Sequence, residues 1–438
     1  MRQPIEEREY RSLFVPPASI DGEPRIIVHY RMVPTQGLTL EQAAARVSMI
    51  TTVRTMRQLP FETRKIRREQ VGLIISTQDT GQVEIAYPLE ICTQGEGLTQ
   101  LFTIIAAGAE YNYTDALWVD SIELPAEFVD RYQGPRFGIR GIRNLFNIHE
   151  RAIVGVSVKP RVGVPVQQIA DICRASLIGG LDFVVDDMFL VDPPGEMSFA
   201  NRVATFVKVV GEARSRTGES KRYFANISAA PFRANRFASI AMSEGVDGLV
   251  INAHAMGFDG VDEMLRLGNI TLPIITTNMG SGMLSRQTRV NGTLLSSGIS
   301  EVVTSAISRL VGADGVHAGT SSSECFGNDA WGPATQTLNT PWRHLDMCFA
   351  VAEGDLTIAN VWDNIRSLGP DVMMEVASGI YSYPGGAERA GSSFRLLAEN
   401  LASHMSPEEA HERIINLAEK NRHLKSGLEY FGYSPSEL

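Results

Sequence analysis

The chain has 438 residues, which is too long for one ordinary hydrophobic core and indicates two or three domains. Hydrophobic residues make up 44% and charged residues 21%, as in globular proteins, and no run of about twenty apolar residues predicts a membrane span. The net charge is −10, and the lack of a strong basic tract argues against nucleic acid as a main partner.

The first part of the chain predicts the order strand, helix, strand, strand, helix, strand. These elements cover residues 25–33, 39–53, 71–76, 83–91, 97–109 and 116–124. The strands are rich in β-branched and apolar residues, and the helices have apolar residues at helical spacing, with Thr39 as a candidate N-cap. This order is typical of a ferredoxin-like α+β domain, which we expect to span residues 1–150; an irregular α+β lobe is the alternative.

From about Arg151, short apolar runs that end in polar residues alternate with segments long enough for a helix. Eight such runs cover residues 152–158, 181–185, 223–225, 248–251, 273–275, 315–316, 347–352 and 372–377. Eight successive strand–helix units over roughly 250 residues favour a closed (β/α)8 TIM barrel, here residues 151–400, over an open doubly wound sheet. Residues 401–438 predict a helical tail, with Ser406 as the N-cap of a surface helix.

Barrel enzymes bind substrates at the carboxyl ends of their strands, so the polar residues that follow the eight runs are the candidate site. They are Lys159, Arg161, Asp186, Asp187, Asn226, Asn252, His254, Thr277, Asn278, His317, Glu353, Asp355 and Ser378. Cations, carboxylates and amides together suit proton transfer next to a carbonyl group, with cations holding the enolate oxygen.

Each main candidate also has a purely structural interpretation. Lys159 could cap the barrel rim, and His317 could be a buried core histidine. Asp186 could accept hydrogen bonds from a helix N-terminus, and we favour that role for one aspartate of the pair. Glu353 and Asp355 are more often loop carboxylates than catalysts.

The cysteines and the first residues bear on the compartment. Cys92, Cys173, Cys325 and Cys348 are far apart and form no CxxC pair, so the sequence predicts neither a zinc site nor a disulfide framework. The polar, acidic first ten residues do not resemble a signal peptide. Reduced thiols in a cytoplasm are therefore expected.

Four motifs resemble the large chain of ribulose bisphosphate carboxylase (Rubisco). Residues 179–187 (GGLDFVVDD) resemble the signature GGLDFxKDDE, and residues 158–163 (VKPRVG) resemble IKPKxG. Residues 133–139 resemble QGPxxGI, and residues 317–320 (HAGT) resemble HxGT. The order and spacing agree from roughly residue 25 to 400. The resemblance implies the same two-domain layout, and a homodimer in which the front domain of one subunit completes the cleft of the other.

The metal site of that family is not preserved. The lysine that is carbamylated and holds Mg²⁺ corresponds to Val185, and the glutamate ligand corresponds to Met188. Asp187 alone remains of the three ligands, and one aspartate is a poor Mg²⁺ site. We therefore expect no Mg²⁺, no other cofactor and no carboxylation.

Substrate-binding positions of the family differ as well. Its loop-six lysine corresponds to Glu324, its distal-phosphate arginine to Asn278, and its serine-glycine-glycine to residues 353–355. The glutamate and threonine that act on the neighbouring subunit correspond to Ile50 and Thr55. The matched positions that keep a suitable side chain or glycine are Thr55, Lys159, Arg161, Asp187, His317, Ser378 and Gly379. The acidic replacements would repel a bisphosphate, so at most one phosphate is expected, around Thr55 and Gly379.

The pattern resembles the non-carboxylating, Rubisco-like branch of the family, called form IV. We expect a metal-independent isomerase or lyase that forms an enolate from a small sugar-phosphate or sugar-acid carbonyl compound. Lys159 would be the general acid/base, with its pKa lowered by burial among cations. Asp187 and His317 complete the catalytic set, with His317 binding or relaying a proton.

Substrate binding is assigned to a further group, and one alternative function stays open. The binding residues are Thr55, acting in trans in the homodimer, with Arg161, Asn226, Asn278, Ser378 and Gly379; Arg161 and Asn226 would hold the oxyanion. The alternative is a non-catalytic binding or regulatory protein, because many family groups are lost at once. A cleft blocked by side chains would favour it, and an open cleft with Lys159 directed inward would count against it.

Overall fold

The computed structural model describes residues 10–55, 60–61, 63, 69–93, 97–290, 293–321 and 331–433. It divides into two compact units. The first consists of Met1–Tyr132, Gly257–Asp259 and Gly280–Ile307, and the second of Gln133–Met256, Gly260–Met279 and Ser308–Leu438.

The strands of the described residues form two sheets. In chain order they are β1 (Arg25–Pro34), β2 (Leu73–Thr77), β3 (Gln82–Pro88), β4 (Thr114–Glu123), β5 (Ile153–Val158), β6 (Phe183–Asp186), β7 (Arg222–Asn226), β8 (Gly248–Asn252), β9 (Ile274–Thr277), β10 (Ser285–Val290), β11 (Thr293–Ile299), β12 (Gly315–His317), β13 (Phe349–Glu353) and β14 (Val372–Val376).

The helices range from single turns to nineteen residues. In chain order they are α1 (Leu40–Thr51), α2 (Leu89–Cys92), α3 (Leu98–Ala107), α4 (Ala126–Val129), α5 (Gly138–Phe146), α6 (Val166–Gly179), α7 (Phe199–Thr217), α8 (Pro231–Glu244), α9 (Ala253–Met256), α10 (Phe258–Leu267), α11 (Ser281–Leu284), α12 (Glu301–Leu310), α13 (Trp331–Asn339), α14 (Val361–Leu368), α15 (Ser378–Tyr381), α16 (Ala387–Asn400), α17 (Pro407–Lys420) and α18 (Arg422–Tyr430).

The first unit has the predicted α+β layout. Its sheet has the strand order β10-β11-β4-β1-β3-β2, so the first four strands follow the ferredoxin-like order. Buried and more exposed residues alternate along β1, which leaves one face of the sheet for the helices. Thr39 caps α1 as predicted, because its hydroxyl accepts the Gln42 N–H while the Gln42 side chain accepts the Thr39 N–H.

The second unit contains a closed barrel of eight parallel strands, in the order β12-β13-β14-β5-β6-β7-β8-β9. All eight predicted runs are barrel strands, and β5 is buried at every residue because it faces the barrel interior on one side and helices on the other. Glycines make room for the aromatic core: a Cβ at Gly155 would lie 2.5 Å from the Phe183 ring, and one at Gly248 would lie 2.2 Å from the Phe224 ring.

The unit boundary lies earlier than the predicted division at residue 150. Helix α5 belongs to the second unit, where Ile142 and Phe146 pack into the barrel core with Ile153 and Phe183. The predicted tail likewise belongs to the second unit, since the Tyr383 hydroxyl bonds the His423 carbonyl. Ser406 caps α17 through a capping box, as predicted.

The hairpin β10–β11 was not predicted. In sequence, the hairpin lies between barrel strands β9 and β12. In the structure, it extends the sheet of the first unit, where Gly298 pairs with Trp118 and Ile299 with Val119. Sequence patterns missed it because its residues, SRQTRV and TLLSSGI, do not alternate clearly between apolar and polar.

Among the helices of the described residues, none combines the length and the apolar character needed to cross a bilayer. The cytoplasmic location stays a prediction.

Candidate active site

A cavity of about 720 Å³ opens at the carboxyl ends of β5, β6, β13 and β14, four consecutive strands of the barrel. Of the candidate residues at strand ends, Lys159, Arg161, Asp187, Glu353, Asp355 and Ser378 contribute to its wall. The other wall residues are Pro160, Val162, Phe189, Gly354, Leu356, Glu375, Ala377 and Tyr381. The prediction that strand ends of the barrel converge on one cleft is therefore supported for half of the barrel.

Lys159 lies between two carboxylates in the cavity wall. Its Nζ is 3.2 Å from Asp187 Oδ2 and 3.4 Å from Glu353 Oε1. The backbone is fixed as well, because the Lys159 N–H donates to the Tyr381 hydroxyl (3.1 Å), which itself donates to the Ser157 carbonyl (3.0 Å). The side chain is 38% exposed, so a ligand in the cavity can reach the ammonium group.

The charge state of Lys159 differs from the prediction. Burial lowers the pKa of its ammonium group, but the negative charges of Glu353 and Asp187 outweigh burial and raise the pKa above its ordinary value. The expected lowering is wrong because the neighbouring charges are carboxylates and not cations. Lys159 therefore carries a positive charge between the two carboxylates at neutral pH.

A second ion-pair layer lies behind Glu353. His317 is 2% exposed; its Nδ1 is 3.3 Å from Glu353 Oε2, and its Nε2 is 3.3 Å from Glu375 Oε1. Five groups thus form one chain of alternating sign, from Asp187 through Lys159, Glu353 and His317 to Glu375. Glu353 and Glu375 contribute to the cavity wall, whereas His317 does not.

The pKa values of this layer follow from burial and from the opposing charges. Burial lowers the pKa of His317, but Glu375 and Glu353 outweigh it and raise the pKa to about 10. Burial raises the pKa of Glu353, but His317 and Lys159 outweigh burial and bring it below the ordinary value. Burial raises the pKa of Glu375 despite His317. At neutral pH, Glu353 is therefore an anion between two cations.

Asp186 has a structural role. Its carboxylate accepts hydrogen bonds from Arg202 Nε (3.0 Å), the Tyr223 hydroxyl (2.9 Å) and the Asn226 backbone N–H (2.9 Å), and the residue is buried. The preference for one structural aspartate in the pair is supported, but its partners are mainly side chains of neighbouring elements and not a helix N-terminus.

Asn226 does not fit the predicted oxyanion-binding role. Its side-chain N–H groups donate to the backbone carbonyls of Asp187 (3.0 Å) and Met188 (2.9 Å). Its Oδ1 accepts from the backbone N–H (2.9 Å) and the hydroxyl (2.6 Å) of Ser228. Because both ends of this buried amide are engaged, it fixes the loop after β6 and holds Asp187 in place.

The remaining predicted binding residues are less centrally placed. Asn278 lies at the end of β9 but contributes nothing to the cavity wall. Gly379 is buried, and a Cβ there would lie 2.4 Å from the Leu356 carbonyl oxygen, so this glycine permits close packing. Thr55 belongs to the first unit and its action in trans stays a prediction. Glu324 lies outside the described residues.

The sequence analysis missed two residues of the site, Glu375 and Tyr381. Glu375 is a single carboxylate within the otherwise apolar strand β14 (VMMEV), and a charge at a buried position is a signal that could have identified it. Tyr381 lies in α15, three residues after the predicted Ser378, and its hydroxyl contact with β5 had no local sequence signal.

The Mg²⁺ site that the resemblance implies does not fit these residues. Val185 is part of the barrel core and offers no ligand atom. Met188 provides no carboxylate, and Asp187 is occupied by Lys159 and by the Phe189 N–H (2.9 Å). Among the residues that the structure describes, no set of carboxylates remains around β6 for an oxygen-ligated cation.

Family models match almost the whole chain. The model for the ribulose bisphosphate carboxylase large chain, catalytic domain, matches residues 138–431, and the model for its N-terminal domain matches residues 14–128. Among curated proteins, the ribulose bisphosphate carboxylase of Pyrococcus abyssi is 25% identical over 94% of this chain and 94% of its own length. A ribulose bisphosphate carboxylase-like protein of Archaeoglobus fulgidus is 24% identical over 86% of this chain and 88% of its own length.

Solved structures have the same fold. The octameric Rubisco of Pyrococcus horikoshii superimposes with a TM-score of 0.82 at 24% identity, covering 97% of both chains. The dimeric archaeal Rubisco of Hyperthermus butylicus gives a TM-score of 0.82 at 22% identity, covering 97% of this chain and all of the other.

Proposed function

The chain belongs to the ribulose bisphosphate carboxylase large-chain family, and we propose that it is a form IV, Rubisco-like member that does not carboxylate and acts as an isomerase or lyase on a small carbonyl compound. The observation that carries this proposal is Lys159 in the wall of an open cavity, paired with Asp187 and Glu353. Both an acidic and a basic group are thus within reach of one bound molecule.

The absence of a fitting Mg²⁺ site supports the non-carboxylating part. The family that the chain resembles holds its metal with a carbamylated lysine and two carboxylates. In this chain, Val185 and Met188 occupy two of these three positions. We propose that the reaction uses no Mg²⁺ and no organic cofactor. The chemistry is then left to the side chains of the cavity.

The proposed reaction is proton transfer through an enolate. Asp187 removes the proton from the carbon next to the carbonyl, the electron pair of that C–H bond forms a C=C bond, and the π pair of the carbonyl moves to its oxygen. The Lys159 ammonium group stabilises this oxygen and Arg161, also in the wall, adds positive charge. In an α-hydroxy carbonyl compound, return of the proton to the former carbonyl carbon, with the hydroxyl proton passing to the enolate oxygen, gives an isomer. In the lyase reaction the adjacent C–C bond breaks instead of the C–H bond. Asp187 then takes the proton of the β-hydroxyl group, the fragment that carries this group leaves as an aldehyde, and the C–C electron pair forms the enolate, which is protonated on carbon.

Glu353 and His317 are positioning residues in this scheme. Glu353 contacts Lys159 through one oxygen and His317 through the other, so the buried imidazole fixes the orientation of the glutamate. A bisphosphate is disfavoured because Asp187, Glu353, Asp355 and Glu375 all contribute to the wall. We propose a sugar acid or a sugar monophosphate as substrate.

The open cavity favours this enzyme over a non-catalytic binding protein. The non-catalytic alternative expects a cleft filled by side chains, whereas the cavity has about 720 Å³ of space and Lys159 lies in its wall. That volume is within the usual range for small-molecule sites.

Thermal melting of the purified protein against a ligand panel tests the proposal. The panel contains sugar bisphosphates, sugar monophosphates, sugar acids and oxo sugar acids, each with and without Mg²⁺. A ligand at 100 times its dissociation constant stabilises the fold by about 2.7 kcal/mol, which raises the melting temperature visibly. We expect a Mg²⁺-independent shift with a sugar acid or monophosphate. A shift that requires Mg²⁺ together with a bisphosphate would contradict the proposal, and silence across the panel would favour the non-catalytic alternative.

We also propose a homodimer in which Thr55 of one protomer contributes to the cavity of its partner. The Rubisco of Hyperthermus butylicus is described as dimeric, and Thr55 corresponds to the family position that acts in trans. Light scattering coupled to size exclusion is expected to give the mass of two chains. A monomeric mass at micromolar concentration would remove this proposal.

A further inference from the structure

Three potential metal ligands meet on three neighbouring barrel strands. His317 ends β12, Glu353 ends β13, and Glu375 is the penultimate residue of β14. One donor atom from each side chain can be chosen so that all three atoms lie within 4.8 Å of one another. These strands are adjacent in the barrel, and Glu353 pairs directly with Glu375 in the register of β13 and β14. The fold itself therefore brings one imidazole and two carboxylates together.

A second observation is that polar atoms of this cluster lack hydrogen bonds. Among the described residues, both ring nitrogens of His317 and Oε1 of Glu375 are buried without a hydrogen-bond partner, and the contacts of His317 with Glu353 and Glu375 are ion pairs at 3.3 Å. Ser157 Oγ and Thr277 Oγ1, on the flanking strands β5 and β9, are also buried without a partner. Buried polar atoms are normally satisfied, and unsatisfied ones point to a bound ion or water.

We propose that His317, Glu353 and Glu375 bind one divalent transition-metal ion of the Zn²⁺ type at the floor of the cavity. His317 gives up its proton when the ion binds, and the two carboxylates and the neutral imidazole then carry a charge of −2, which a divalent cation neutralises. Mixed nitrogen and oxygen ligands suit Zn²⁺ and its neighbours better than Mg²⁺ or Ca²⁺, which prefer oxygen ligands. A strongly binding ion is also needed because it must replace any proton held by His317.

The cluster is open to the cavity on one side. Glu353 and Glu375 belong to the cavity wall, whereas His317 lies behind them. An ion can therefore enter from the cavity, and water from the cavity can fill the remaining coordination position, as in open three-ligand zinc sites.

The site is separate from the Lys159–Asp187 pair and goes beyond the proposed function. Glu353 contacts Lys159 through Oε1 and His317 through Oε2, so an ion on the Oε2 side leaves the contact with Lys159 in place. The proposed proton transfer needs no metal. The ion clamps β12, β13 and β14 together and fixes the orientation of Glu353.

Metal binding by the full-length protein, without substrate, tests this site. Protein stripped with a chelator is titrated with Zn²⁺ by calorimetry, and bound metal is counted by elemental analysis after dialysis. We expect one ion per chain and a higher melting temperature with Zn²⁺. Glu375→Gln is expected to weaken this binding by at least about 100-fold, since one of three protein ligands is lost.

Two control variants separate this cluster from other carboxylates of the cavity. Asp355→Asn makes the same carboxylate-to-amide change at the cavity mouth, and Asp187→Asn makes it at the family metal position. Both are expected to keep one ion per chain. No bound ion in the unaltered protein, or equal loss in Asp187→Asn and Glu375→Gln, would overturn the assignment.

Co²⁺ gives a test that does not depend on a variant folding. Co²⁺ bound to one imidazole and two carboxylates in an open site is expected to absorb in the visible range and to be displaced by one equivalent of Zn²⁺. A Co²⁺ spectrum identical to that of free aqueous ion would overturn the site. Because every readout is metal binding, failure here leaves the ligand-panel result unaffected, and failure of the panel leaves the metal result unaffected.

Discussion

Replacing Lys159 with methionine is expected to lower kcat by about 10²–10⁴-fold while the fold is retained. Methionine preserves the length of the side chain but has no charge and no transferable proton. The enolate oxygen would lose its ammonium partner, and Asp187 and Glu353 would face the substrate without a neutralising cation. The side chain is 38% exposed, so its loss should leave the barrel core intact.

The measurement is turnover of the substrate identified by the ligand panel, with kcat and KM determined separately. Arg161→Met is the matched control, because it removes the other cation of the cavity wall, whose guanidinium lies 5.2 Å from the Phe189 ring centre. We expect this control to raise KM more than it lowers kcat. Lys159→Arg should not restore turnover, because a planar guanidinium does not reproduce the compact ammonium group between the two carboxylates. Turnover of Lys159→Met within fivefold of the original protein would refute the assigned role.

The Arg202→Met variant is expected to lose about 3–5 kcal/mol of unfolding free energy, as when one partner of a buried ion pair is removed. The side chains of Arg202 and Asp186 contact each other, and both are 0% exposed. Arg202 also donates to the backbone carbonyls of Met197 (2.7 Å) and Val191 (2.8 Å). Methionine would leave the Asp186 charge buried and several acceptors of the loop after β6 without donors.

Urea unfolding followed by circular dichroism measures this loss. Lys208→Met is the matched control, because Lys208 is a largely exposed cation 4.0 Å from Glu212, and such pairs contribute about 0–1 kcal/mol. Asp186→Asn added to Arg202→Met should cost less than the sum of the two single changes, since the uncompensated charge is then absent. A loss below about 1 kcal/mol in Arg202→Met would contradict the structural role given to the pair.

The barrel could be predicted from the sequence because its strands are buried on both faces. Continuous apolar runs such as β5 and β14, each followed by polar residues, are direct consequences of that burial. The unit boundary could not be predicted in the same way. The apolar residues of α5 suit either unit, and only packing against Phe183 and its neighbours assigns them to the barrel.

Site residues that lie within the family motifs could be predicted from the sequence. Properties of the site that depend on contacts between distant elements could not. Lys159 and Asp187 follow strands within recognisable motifs, and both lie in the cavity wall. The charge state of Lys159 was misjudged because Glu353 is 194 residues away in sequence. Asn226 was misassigned because its partners are backbone carbonyls of another loop, which composition does not reveal.

The hairpin β10–β11 affects how the protein folds during synthesis. Strand β4 is translated about 180 residues before its partner β11, with most of the barrel between them. The edge of β4 therefore emerges from the ribosome long before the strand that covers it, and an uncovered edge can pair with other chains. Closing so long a loop slows folding, because the entropy of loop closure is lost before the contacts between the distant strands stabilise the fold. This edge of β4 therefore has no strand from β11 to pair with until residue 299 has been translated.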